Sequence, residues 1–277
     1  MAAPTSISKH RAQPGRLREC EASASGPPSE PVASTVAPRL APAPGDAFVP
    51  APPAVFAGRK REVARVLRAL GRVSMAVLYG VAGVGKSALG YACGAAWAGP
   101  VWHLQAEAGR PLPPLVRELF RRAALAPRAP DEGEDEGACG AALAAALDER
   151  GALLLLDDVD RLPPPAQDAL LRALGERLRR GRVITTARTR VLAPGHYDRL
   201  ELVVRGLDRA SAKRLWQGLD ALHGAKAGFE SAYRVAKGCP ASLRHAHAGH
   251  PPVDPYAELV ASLDPDARLF AAALALA

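Results

Sequence analysis

The chain has 277 residues, a formal net charge of +8, and a composition 48% hydrophobic but only 5% aromatic. That length accommodates one α/β domain plus a smaller appended unit, with a core of Leu, Val and Ala rather than aromatic rings. Four widely spaced cysteines (Cys20, Cys93, Cys139, Cys239) argue against a zinc ribbon or a disulfide framework and fit a reducing, cytoplasmic setting. No apolar run reaches membrane-spanning length, and the first residues lack the order of a secretory signal. The basic balance invites a nucleic-acid partner. Its arginines are scattered, however, and no run of five basic residues occurs, so nucleic acid stands only as an alternative.

Residues 1–53 are rich in Pro, Ala and Ser, bury too little apolar surface to offset their ordering entropy, and read as a disordered tail. Order is expected from about Val55. Val63, Val66, Leu67 and Leu70 share one stripe of a helix over 62–70. An apolar strand over 75–79 then leads into Gly80-Val-Ala-Gly-Val-Gly-Lys86-Ser87, with a helix following from Ser87. This stretch fills every fixed position of the G-x-x-x-x-G-K-[ST] phosphate-binding loop, in the strand-to-helix setting that the loop requires.

The chemistry follows from those residue types. Glycines at 80, 83 and 85 let the backbone curl, so that amides of Gly80, Val81, Ala82, Gly83, Val84, Gly85, Lys86, Ser87 and Ala88 can surround a polyphosphate. The helix N-terminus adds partial positive charge. Lys86 is the candidate to neutralise the terminal phosphates, and the Ser87 hydroxyl is a candidate Mg²⁺ ligand.

Further along, a strand over 100–104, a helix over 114–123, an acidic loop over 131–136 and an alanine-rich helix over 141–150 are expected. The next strand, over 152–156, ends in Asp157-Asp158. Carboxylates just past a buried strand sit where open α/β sheets bind ligands. Asp157 is the candidate to hold Mg²⁺, and Asp158 to orient or deprotonate a water, with a simple turn or helix cap as the other reading. A strand over 182–186 runs into Thr185-Thr186-Ala187-Arg188. Thr186 and Arg188 could sense a terminal phosphate, or the arginine could be an ordinary surface or salt-bridging residue. A last strand covers 200–204, and every periodic segment after Asp208 looks helical. Alternating strands and helices predict a five-stranded, mainly parallel sheet covered on both faces, followed by a small all-α unit. His245, His247 and His250 lack the spacing and companion ligands of a metal site and read as surface or helix-end residues. The chain contains no asparagine, so the guanine-reading Asn-Lys-x-Asp motif is absent and adenine is the expected base.

Taken in order, these landmarks resemble the STAND class of P-loop ATPases, and within it the NB-ARC-like regulators. Phe56-Ala-Gly58-Arg59 is similar to the family's Phe-x-Gly-Arg motif, which implies positions near adenine and ribose for Phe56, Gly58 and Arg59. Residues 100–104 resemble its second strand, and Asp157-Asp158 its paired Walker B acids. Thr186-Ala187-Arg188 resembles its sensor, whose arginine approaches the terminal phosphate. Gly238-Cys239-Pro240 resembles its Gly-x-Pro motif, which implies that Pro240 packs on adenine. The resemblance implies a P-loop domain over 54–206, a small helical lid over 207–252, and a truncated winged-helix-like segment over 253–277 that lacks the locking histidine.

It further implies ATP or ADP with Mg²⁺, slow hydrolysis with Lys86, Asp158 and Arg188 as the catalytic set, and a cytoplasmic signalling switch acting through a protein partner or self-association. A non-hydrolysing nucleotide-binding adaptor and an ATP-dependent transcriptional regulator are the alternatives.

Overall fold

The computed structural model describes residues 49–125, 129–131, 133–190 and 198–257. Only residues 49–53 of the expected tail, and 253–257 of the expected winged-helix-like segment, fall within them.

Five apolar segments supply the strands β1 (Met75–Tyr79), β2 (Val101–Gln105), β3 (Leu153–Asp157), β4 (Arg182–Ala187) and β5 (Arg199–Val203). Every pairing is parallel, in the order β2-β3-β4-β1-β5. Parallel neighbours need long crossovers, and helices provide them: α2 (Lys86–Ala95), α3 (Leu112–Arg122), α4 (Glu136–Arg150) and α5 (Pro164–Arg177) link β1 to β4, while α1 (Lys60–Leu70) precedes β1. Three more helices follow the sheet: α6 (Arg209–His223), α7 (Phe229–Ala236) and α8 (Pro240–His247).

The period-2 alternation of each strand sorts its side chains between two apolar layers. Ala76, Leu78, Leu153, Leu155 and Ile184 join Val66, Leu70, Leu89 and Cys93 on the face covered by α1 and α2. Val77, Leu154, Leu156 and Val183 join Phe120, Leu143, Leu147, Leu170 and Leu174 on the face covered by α3, α4 and α5. Val49 also packs on the first of these layers. Helices α6 to α8 enclose a cluster of their own around Leu215, Trp216, Leu219, Ala236 and Leu243, on which Val55 and Ala57 pack.

Two helices depart from the sequence expectation. Helix α4 starts five residues before 141, because the Asp135 carboxylate accepts the Ala138 N–H at 2.7 Å and so caps the acidic stretch into the helix. Helix α5 occupies a stretch to which the sequence reading assigns no element. Its signals are a proline at the first helical position and Leu170, Leu171 and Leu174 on one buried stripe. Asp148 on α4 then accepts backbone N–H groups of Arg179 (2.9 Å), Arg180 (2.8 Å) and Gly181 (2.6 Å), fixing the approach to β4.

Candidate functional site

With β4 lying between β1 and β3, the C-terminal ends of three central strands come together at one crest of the sheet. From β1 the chain turns through residues 80–85 into α2, as the motif requires. Gly85 caps α2 in the left-handed region at φ 97°, which a residue with a Cβ rarely adopts. Lys86 opens the helix and is buried. Its ammonium donates to the carbonyls of Gly80 (2.8 Å) and Val81 (3.1 Å). Burial pushes its pKa below the usual lysine value, while the carboxylates of Asp158, Asp160 and Asp157 pull it back up and Arg188 opposes them.

The acids are placed by strand parity. Asp157 follows Leu153 and Leu155 in alternation, so it turns to the α2 face; Thr186 follows Ile184 to the same face. There the Asp157 carboxylate collects three donors. Ser87 donates to Oδ1 at 2.8 Å, Thr186 donates to the same oxygen, and Tyr91 donates to Oδ2 at 3.1 Å. The set is all oxygen, with a strand-end carboxylate facing a hydroxyl where the loop enters α2, and fits a hard divalent cation such as Mg²⁺. Ser87 and Asp157 are the residues that would hold it.

Tyr91 is the one residue of this cluster to which the sequence assigns no role. It lies four residues after Ser87, hence one turn along the same helix face, and that spacing was the available signal. Burial, then the nearby Asp157 charge and hydrogen bond, push its phenol pKa well above the usual value, so it stays a donor. Its ring meets His103 of β2 edge to face at 5.5 Å.

Asp158 sits beyond the strand with φ 54°, a left-handed conformation that Asp tolerates better than most residues. Its N–H donates to the Thr186 hydroxyl at 2.9 Å, and its carboxylate pairs with Arg161 Nε at 3.2 Å. Thr186 is thus buried between the two acids, donating to one and accepting from the other, and its hydroxyl is spent on them. Arg188, just past β4, is exposed, and its N–H donates to Asp160 Oδ2 at 3.1 Å.

The other side of the loop meets α8. The Ala241 N–H donates to the Gly83 carbonyl at 3.2 Å, and Cys239 Sγ approaches the Ala82 carbonyl at 3.8 Å. A Cβ at Gly83, whose φ is 74°, would fall 2.6 Å from the Ala241 methyl, so glycine is what permits the approach. Pro240 stands beside Gly85. Arg59 braces the same loop from below: its guanidinium donates to the carbonyls of Val84 (3.1 Å) and Arg205 and pairs with Glu62 at 2.9 Å. Phe56 is half-buried, and Gly58 lies tight against Ser211 of α6.

His247 is the last residue of α8, a helix end as expected, but it is buried: its Nε2 lies 2.9 Å from Asp220 Oδ1, and its ring packs on Trp216. His245 and His250 stack on each other at 4.5 Å. Among the described residues, no group of three or more His, Cys, Asp or Glu is arranged to hold a metal ion. Cys93, Cys139 and Cys239 are free and buried, and Cys20 lies outside the described residues. No described helix is long and apolar enough to cross a membrane.

No protein-family model and no curated protein sequence matches the chain. Solved structures do. A STAND protein with a tetratricopeptide repeat sensor from Pyrococcus horikoshii aligns over 79% of this chain at 19% identity and a TM-score of 0.53. A Walker-type ATPase of Pyrococcus abyssi aligns over 74% of this chain and 71% of its own length, at 15% identity and a TM-score of 0.55. The chain spans only 34% of the length of the STAND protein. At such identities the likeness is one of fold, and the fold is that of the P-loop NTPases, shared with a STAND ATPase and a Walker-type ATPase.

Proposed function

We propose that the chain binds ATP with Mg²⁺ over residues 80–88 and works as a slowly hydrolysing switch of the STAND type. The observation that carries this reading is the junction of the loop with the strand-end acid. Ser87, the residue after the loop lysine, donates to Asp157 across 2.8 Å, where Thr186 and Tyr91 also converge. Loop amides and the Lys86 ammonium would hold the phosphate charge, and a bound Mg²⁺ would supply further neutralisation of it. Arg188, close enough to Lys86 for their like charges to oppose, is the proposed reporter of the terminal phosphate. Phe56, Gly58 and Pro240 would flank adenine, with Arg59 holding the loop in shape.

The helices α6 to α8 are proposed as the lid whose placement depends on nucleotide. The contact that makes this reading concrete is the Ala241 N–H on the Gly83 carbonyl, which ties the start of α8 directly to the loop proposed to hold the phosphates. Such coupling is typically worth about 1–3 kcal/mol, enough to shift a lid or a partner surface. A protein partner or self-association would read that shift.

One observation favours a second reading, a non-hydrolysing adaptor: the carboxylate of Asp158, the candidate base, is engaged by Arg161. Single-turnover release of γ-phosphate decides between them. The switch predicts slow release that Asp158→Ala abolishes; release that is negligible and equal in both chains supports the adaptor.

A further inference from the structure

Asp157 is held at both of its oxygens, and the holder of the second one has no place in the phosphate-loop motif. Ser87 and Thr186 converge on Oδ1, leaving that oxygen fixed from the α2 and β4 sides. Both of those donors act on one oxygen, and it is Tyr91 that donates to the other, Oδ2, at 3.1 Å, adding a third restraint on the orientation of the group. The phenol is itself steered. Its ring rests edge to face on His103 at 5.5 Å, and the α2 backbone places it one turn beyond Ser87. A narrow cleft lined by Ser87, Gly90, Tyr91, Asp157 and Thr186 runs between these groups. Two donors from one helix face and one from β4 therefore set the plane of the carboxylate before any cation arrives.

We infer that Tyr91 is a positioning residue for the cation-side carboxylate, acting through Asp157 rather than touching nucleotide or metal. The inference rests on the reading of residues 80–88 as a Mg²⁺-nucleotide site. Partners that orient a ligating carboxylate typically change metal affinity by about 10–100-fold when removed, because the ligand must then be ordered at the moment of binding. Tyr91 should accordingly govern how strongly Mg²⁺ assists nucleotide binding, with little influence on binding of the nucleotide alone.

The test is a titration of ATP into the full chain with Mg²⁺ and with EDTA, for wild type and Tyr91→Phe, alongside thermal unfolding. Phenylalanine keeps the ring, its packing and the His103 contact, and removes only the hydroxyl. The expected result is an unchanged affinity in EDTA and a Mg²⁺ enhancement smaller by about tenfold. Tyr91→Leu, which also loses the ring, should show the same loss of enhancement plus a lower melting temperature. An enhancement equal in wild type and Tyr91→Phe overturns the inference. So does a parallel loss with and without Mg²⁺, which would mark Tyr91 as a packing residue. Wild-type binding without any Mg²⁺ enhancement overturns the inference while leaving the loop as a nucleotide site. A folded wild type that takes up no ATP overturns both.

Discussion

The two flanks of the loop are held by different means. On the α2 flank, short-range geometry assembles the groups: Ser87 and Tyr91 share a helix face, Asp157 and Thr186 share a strand parity, and the four side chains meet at hydrogen-bonding distance. On the α8 flank, the loop is met by chain returning from more than 150 positions later, through the Ala241 backbone N–H and the Cys239 side-chain sulfur. Side chains on rigid central elements can wait for a ligand in place. A contact made by one helix end on a loop is cheap to make and to release, which suits a part that must respond to what the loop holds.

Substitutions should separate the flanks. The largest effect is expected from Asp157→Ala, which leaves three donors facing nothing and removes the proposed Mg²⁺ ligand. Unsatisfied buried donors cost about 1–3 kcal/mol each, so denaturant unfolding should show a loss near the upper end of that range for the set, together with loss of Mg²⁺-assisted ATP binding. A variant as stable as wild type would mean that the carboxylate network contributes nothing to the fold.

Gly83→Val should disturb only the other flank. It forces a β-branched residue into the left-handed region and drives a Cβ into Ala241, at a cost of about 1–3 kcal/mol. Hydrogen exchange reads the two sides independently. The Ala241 amide, bound to the Gly83 carbonyl, should lose protection, while the Asp158 amide, bound to Thr186, should keep it. Equal loss at both amides would erase the distinction drawn above.

The smallest effect concerns the start of α6. Asp208 caps that helix, accepting the Ser211 N–H at 2.7 Å. This backbone hydrogen bond, and then the Ser211 hydroxyl, hold its carboxyl below the usual aspartate value. A depressed folded-state pKa means that the cap contributes fully above the ordinary aspartate pKa and fades as pH falls through the lowered one. Asp208→Ala should lower the melting temperature modestly at neutral pH and reduce the difference from wild type in acid. A difference that persists unchanged in acid would show that the cap acts by something other than its charge.

Much of the α2 flank was legible in the sequence for a physical reason. The loop motif, the alternation along residues 153–157 and the paired acids are local patterns, and local patterns survive in one dimension. What escaped notice depends on a third element. Tyr91 looks like any helix residue until Asp157 is opposite, and Thr186 comes between the two acids only once β3 and β4 lie side by side. The guanidinium of Arg59 reaches the carbonyls of Val84 and Arg205 only because the fold brings the loop and the end of β5 to it, which no local pattern announces. The burial of His247 at the end of α8 is not legible locally because its partners, Trp216 and Asp220, come from another helix. Helix α5 does carry a local signal, a proline start and a buried leucine stripe.

Calorimetric titration of ATP into the purified, folded chain with Mg²⁺ bears most directly on the central claim that residues 80–88 cradle a triphosphate. The account predicts saturable binding of one nucleotide per chain, abolished by Lys86→Ala in a variant that still folds. Absence of binding to folded wild type, or undiminished binding by Lys86→Ala, would contradict it.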